Sequence, residues 1–374
     1  MPQVQLREGT AWSYVIEISG MTVPAKNVIG LTIRESIFDV LPRLELTMKD
    51  AGTFTSEIPV RSGDSIRIKI FNSSYQPKSN DYGFLVSSVK TISVDPNSPN
   101  DLIAEISAIL EVPEMFSALK SRSFGKKRFS DVAREVAEEC GLEPEIKTKS
   151  ADSMRWGCFN ETYLDFLRRS ILHSYISEEE LPVVFSAKNG KMVYCGVGRE
   201  KKSDTSVSLV FDALGTITPA PFDMESARNG KSVSKIVVPY SAWAMTDLKS
   251  WADVFDGGSG LSVNWFDGEF RSEKFGDGSI TKSDNFGVKS DNVHEYYYKA
   301  AGNNATLIRS MFSKCATLTT GIYGFRPADR VYVSIPERSN AGSSQALSGE
   351  YIVFQVLTVM NKDATNEILC LSPV

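Results

Sequence analysis

The chain has 374 residues, 42% hydrophobic and 23% charged, with a formal net charge of −5 at pH 7. That length is more than one core ordinarily fills, so two or three domains are expected. The mild acidity argues against a dedicated nucleic-acid binder, which gains affinity by neutralising phosphates with Lys and Arg, and no apolar run reaches the 18 residues of a membrane span.

The N-terminus, Met1-Pro2-Gln3-Val4-Gln5-Leu6-Arg7-Glu8, shows no charged region followed by an apolar stretch, so no secretory signal is read. Up to about Val112 every signal is a strand signal. Residues 14–18 lead to the turn pair Ser19-Gly20, residues 28–37 follow, and 44–48 read Leu-Glu-Leu-Thr-Met in strict alternation. Pro59 and Ser62-Gly63-Asp64 then punctuate the chain before Ile66-Arg67-Ile68-Lys69-Ile70, Tyr82-Gly83-Phe84-Leu85-Val86 and a run over 101–110. Six or more short strands separated by turns predict a small barrel or sandwich.

Past Pro113 the period changes. Residues 130–141 predict a helix with Ser130 as cap, Asp131 at the positive end of the dipole and Gly141 at the exit. Val132, Val136 and Cys140 fall on one face, widened by Ala133 and Ala137. A second helix is expected from about Asn160 to Leu172, with Leu164, Leu167 and Ile171 as its apolar stripe. Residues 181–185 and 191–194 flank Asn189-Gly190 and predict a hairpin. Strands return at 207–211 and 233–238, and a helix is expected over 303–315.

Residues 240–293 are rich in Gly, Asp, Ser and Lys, too long for a simple connection, and interleaved with Trp243, Trp251, Trp265, Phe266 and Phe270. They read as a functional insertion or a mobile loop, the aromatics arguing against full disorder. The end of the chain repeats the pattern of the beginning. Val331-Tyr332-Val333-Ser334-Ile335 alternates, a polar loop follows, Ser348-Gly349-Glu350-Tyr351-Ile352-Val353-Phe354 opens a second run, and 367–371 gives a third. Two similar antiparallel β-modules in one polypeptide are expected.

Chemistry-bearing motifs are scarce. The two histidines, His173 and His294, lie in no catalytic or metal motif and read as partly exposed packing residues. Asp253, Asp256 and the nearby glycines do not fit a calcium loop. Glu178-Glu179-Glu180 reads as a solvated turn, and Lys126-Lys127-Arg128 and Arg168-Arg169 as exposed charge. Five cysteines with no C-x-x-C pair read as buried free thiols. No catalytic residue, cofactor or metal ligand is assigned.

Three segments together resemble the baseplate hub proteins of contractile-tailed phages, a fold also found in the first part of the valine-glycine-repeat spike proteins of type VI secretion. They are Asp50-Ala51-Gly52-Thr53-Phe54 through Gly63-Asp64-Ser65-Ile66-Arg67-Ile68; Phe129-Ser130-Asp131-Val132-Ala133 with Asn160-Glu161-Thr162-Tyr163-Leu164; and Asp329-Arg330-Val331-Tyr332-Val333 with Ser348-Gly349-Glu350-Tyr351-Ile352-Val353. The resemblance implies an α+β, mainly β chain. Its parts would be a tube-like barrel over 1–114, an α+β domain over 115–200, and a second tube-like barrel over 201–374 carrying the insertion at about 240–293. It implies a non-enzymatic homotrimer whose six barrels form a ring, matching a sixfold tail tube on one side and a threefold spike on the other. The partners implied are the chain itself, the tail tube protein, the central spike protein and other baseplate proteins, with genomic DNA only passing through the lumen and no stable membrane insertion. The implied location is the virion baseplate, after assembly in the host cytoplasm. Because the sequence stops at Val374, directly after the second barrel, the spike would be a separate polypeptide. Phe54, Ile58, Trp243, Trp251, Trp265, Phe266 and Phe270 are the candidate interface residues. The competing readings are a cell-wall hydrolase working through paired carboxylates and a carbohydrate-binding β-module.

Overall fold

The structure is a computed structural model that describes residues 13–50, 59–72, 76–93, 102–198, 207–212, 235–239, 243–247, 260–266, 269–275, 283–287, 294, 296–311, 314–320, 324–334, 348–360 and 365–373. The first part is all strand: β1 (Ser13–Ile18), β2 (Met21–Val23), β3 (Val28–Ser36), β4 (Arg43–Asp50), β5 (Ser65–Asn72), β6 (Gln76–Ser93) and β7 (Leu102–Leu110). They lie in the order β2-β1-β5-β6-β7-β4-β3. Alternation sets their inner face: Ile66, Ile68 and Ile70 of β5 and Leu44, Leu46 and Met48 of β4 are fully buried. The β1–β2 turn takes positive φ at Ser19 (49°) and Gly20 (82°), as the turn pair requires.

A middle unit follows: α1 (Pro113–Phe116), β8 (Lys120–Lys127), α2 (Phe129–Glu139), β9 (Glu143–Ile146), β10 (Met154–Glu161), α3 (Tyr163–Ser170), β11 (Glu180–Ser186) and β12 (Lys191–Gly198). Strands β8 and β10 pair as a two-stranded sheet; β11, β12 and β9 form a three-stranded one. The expected hairpin at Asn189-Gly190 is present, with Gly190 at φ 80°. Its strands do not alternate in burial, because both faces are covered. Val184, Met192 and Tyr194 join the core of the first part, and Val183, Phe185, Val193 and Cys195 join a second cluster with Ile352 and Met311.

The remainder comprises β13 (Val207–Asp212), β14 (Lys235–Pro239), β15 (Trp243–Asp247), β16 (Gly260–Phe266), β17 (Glu269–Phe275), β18 (Ser283–Gly287), α4 (Tyr297–Met311), β19 (Lys314–Thr320), β20 (Arg330–Ser334), β21 (Gly349–Met360) and β22 (Thr365–Pro373). The repeated pattern is a repeated structure: β5-β6-β7 and β20-β21-β22 are both antiparallel meanders. The likeness stops at their flanks. Strand β1 runs antiparallel to β5, whereas β13 runs parallel to β20.

Among the described residues, the two meanders belong to one sheet of fourteen strands. Strand β21 changes neighbours along its length. Its first half pairs with β20, and after a register shift between Val353 and Gln355 its second half pairs with β3, from Gln355↔Ser36 to Met360↔Leu31. Ahead of that shift both faces are covered, with Ile352 packed in the second cluster, so Tyr351, Ile352 and Val353 are all buried in succession. Among the described residues the sheet runs open from β14 to β2, and no ring of strands closes on either module. The stretch read as an insertion is partly integral, since β15 pairs with β19 of the large sheet. Among the described strands of this stretch, β16, β17 and β18 form a separate sheet.

Three helix boundaries differ from expectation. Helix α2 starts at Phe129 with Arg128 before it, and Ser130 does not cap it. The free N–H groups are met from another loop: Phe129 N donates to Asp152 Oδ1 (2.8 Å) and Ser130 N to Ser150 Oγ (3.1 Å). Helix α3 begins after Thr162 rather than at Asn160. Thr162 Oγ1 accepts from Asp165 N (3.1 Å), while Asn160, at φ 53°, still belongs to β10. Helix α4 starts six residues earlier than the stretch 303–315 and stops at Met311, leaving Cys315 in β19.

Candidate functional site: the junction of the two β-modules

Charged side chains on inward positions of alternating strands must find partners, because an isolated buried charge is costly. Glu35 sits on β3 in phase with Leu31 and Ile33, and Glu367 on β22 in phase with Leu369 and Leu371; all are buried. Between them comes Lys188, from the hairpin turn joining β11 and β12. Its Nζ lies 3.1 Å from Glu35 Oε2, 3.3 Å from Glu367 Oε1 and 2.9 Å from Thr358 Oγ1 of β21. The backbone strengthens the set: Lys188 N donates to Glu35 Oε1 (2.9 Å), and Gly324 N (3.1 Å) and Phe325 N (2.9 Å) donate to Glu367. One ammonium therefore ties the first module, the middle unit and the last module at one buried point.

The electrostatics follow from that arrangement. Burial would lower the Lys188 pKa, but Glu35 and then Glu367 outweigh it and hold the ammonium above the ordinary lysine range. Burial pushes the Glu367 carboxyl up, with Lys188 and the two backbone donors opposing. Two carboxylates around one ammonium leave a negative charge in excess, which favours retaining a proton at Glu367.

A second buried network holds the middle unit. Asp152 is fully buried and accepts from Phe129 N, Tyr175 N (2.9 Å), Ser150 Oγ and Ser174 Oγ (2.6 Å). Ser174 in turn meets Tyr194 Oη at 2.8 Å. Burial first, and then the Asp152 charge, raise the Tyr194 pKa well above its usual value. His294 and helix α4 dock on this unit. His294 Nε2 lies 3.0 Å from the His173 carbonyl, Asn304 Nδ2 donates to the carbonyls of Leu172 (3.1 Å) and Ser174 (3.0 Å), and Tyr297 stacks on the His173 ring at 4.3 Å. Both histidines are thus packing residues, as expected, but buried rather than partly exposed.

Burial raises the Cys140 thiol to about 11 and the Cys195 thiol to about 12, so neither forms a thiolate readily. Among the described residues no His, Cys, Asp or Glu cluster has the arrangement of a metal site, and no helix is long and apolar enough to cross a membrane. Of the candidate interface residues, Phe54, Ile58 and Trp251 lie outside the described residues. Trp243 is on β15, which belongs to the large sheet. Trp265 and Phe266 end β16 and Phe270 begins β17, with Trp265 and Phe270 at facing register positions. The Asp267-Gly268 pair between these strands is a hairpin signal that the compositional reading of this stretch passed over.

No family model and no curated protein matches the sequence. Solved structures do match over nearly the full length. A tail protein from Neisseria meningitidis MC58 aligns over 97% of this chain and 96% of its own, with 11% identity and a TM-score of 0.56. The 43 kDa tail protein of prophage MuSo2 from Shewanella oneidensis aligns over 96% and 97%, with 12% identity and a TM-score of 0.55. The chain has the fold of phage tail proteins, in agreement with the resemblance carried by its three sequence segments.

Proposed function

We propose that this chain is the structural hub of a contractile tail baseplate. The observation that carries the reading is the full-length shared fold with two phage tail proteins, combined with a duplicated meander welded into one sheet. In this reading three copies supply six tube-like modules around an axis, and closed rotational symmetry lets the ring meet a tail tube on one side and a spike on the other. The junction at Lys188 holds the two modules of each copy at a set angle, which a repeating ring demands. Residues 1–114, 115–200 and 201–374 are its three parts, and the Trp265, Phe266 and Phe270 hairpin is a partner-facing element. The role is assembly in the virion tail; DNA passes through the lumen without a dedicated site.

Light scattering on the purified chain tests the reading. A trimer has about 124 kDa, three times the 41.3 kDa chain. A species that stays at one chain mass both alone and with its spike protein would sink the trimeric hub. Clearing of peptidoglycan by the purified chain would sink the non-enzymatic assignment.

A further inference from the structure

Strand β10 has only one neighbour among the described residues, β8, so its other edge carries no strand. That edge is covered by side chains instead. Arg169 of α3 donates to the Gly157 carbonyl (2.9 Å), and Glu161 Oε1 accepts from Phe159 N (3.4 Å). Arg169 and Glu161 also clasp each other through two contacts, at 2.6 and 3.3 Å. Covering an edge with charged side chains is how sheets avoid unwanted pairing. Here the clasp lies beside a cleft of about 440 Å³, within the range of ligand sites.

Three features of the cleft point to an occupant. Its floor and rim are aromatic: Trp156 is buried, while Phe159 is 69% exposed and lies across Gly157, where any Cβ would collide with its ring. Ser170 lines it, is 1% exposed, and its hydroxyl has no hydrogen-bond partner among the described residues. Arg155, on the exposed side of β10, lines it too and forms no ion pair among the described residues. With Arg169 balanced by Glu161, the lining carries one positive charge in excess.

We infer that the outer edge of β10 is a strand-addition site for an extended segment of a partner protein that carries a carboxylate beside an apolar side chain. The backbone of the segment would replace the Arg169–Glu161 clasp on Gly157 and Phe159, as in other strand-addition complexes. Its apolar side chain would sit against Trp156 on the inner face, its carboxylate would meet Arg155 on the outer face beside Phe159, and Ser170 would gain a partner. The excess positive charge selects an acidic segment, and the pairing is independent of the hub reading.

The test uses the full chain and blocked heptapeptides in which Val and Phe alternate with Glu, Ser or Lys. Hydrogen exchange over residues 154–161 is the readout. The Glu peptide should slow exchange there and bind at least about tenfold more tightly than the Lys peptide, consistent with loss or reversal of one charge-assisted contact. Arg155→Glu, at an exposed position, should reverse the preference with an unchanged melting temperature, and Arg169→Ala should strengthen binding by removing the clasp. Equal binding of the Glu and Lys peptides would overturn the proposal. So would the absence of protection in both the wild type and Arg169→Ala. Protection that grows with protein concentration without peptide would assign the edge to a second copy and overturn the partner-protein assignment.

Discussion

At the scale of single residues, Lys188 is the position on which most converges. Removing one member of a buried ion cluster leaves its partners charged and unpaired, which costs far more than the pair contributes. Lys188→Met should therefore lower unfolding stability by about 3–5 kcal/mol, read from urea denaturation. A loss below about 1 kcal/mol would mean the cluster behaves like a surface pair. Glu367 adds a pH dependence. Its folded pKa is raised above the ordinary 4.5, chiefly by burial, so the folded state binds its proton more tightly than the unfolded chain does. The stabilisation is complete below that ordinary value and fades as pH rises through the folded pKa. Stability of the wild type should fall over that window, and Glu367→Gln should flatten the slope; an unchanged slope would contradict the assignment. Lys188 acts in the same direction at alkaline pH, since its pKa is also raised.

At the scale of elements, α2 shows how a helix end can be completed from a distance. Its apolar face was readable from Val132, Ala133, Val136 and Ala137, all buried as expected. Its cap was not, because Asp152 and Ser150 reach the helix from more than a dozen residues downstream. Asp152→Ala would strand two backbone N–H groups and take an acceptor from two hydroxyls that keep other partners. Each deserted buried donor costs about 1–3 kcal/mol, so a loss of at least about 2 kcal/mol is expected, with exchange at the Phe129 and Tyr175 amides accelerated most. Normal protection of those two amides in the variant would refute the capping role. The same limit on local reading explains α3. Thr162 and Asp165 carry a capping signal, yet the apolar stripe of Leu164 and Leu167 alone extends a helix in both directions and blurs where it starts.

At the scale of the whole molecule, the seam between β3 and β21 makes one sheet of two modules. A shared ladder, a shared buried ion cluster and a middle hairpin buried on both faces couple their stabilities. Calorimetry should show a single cooperative transition, and two well-separated transitions would show that the modules hold independently. The strand content, the turn at Asn189-Gly190 and the duplicated meander were legible in the sequence, because each depends on alternation and turn chemistry within a few residues. The inward charges were half legible: Glu35 follows Leu31 and Ile33 in phase, and Glu367 precedes Leu369 and Leu371 in phase, so each demanded a buried partner. Nothing local names Lys188 as that partner, since the residues meet only when strands far apart in the chain are brought together. The sequence by itself determined which faces of which strands are buried and that the β-pattern occurs twice. The tertiary structure alone decided that the two copies fuse edge to edge and which charges meet at the fusion. Side-chain periodicity is a local property, whereas strand pairing between modules depends on which edges the rest of the fold leaves open.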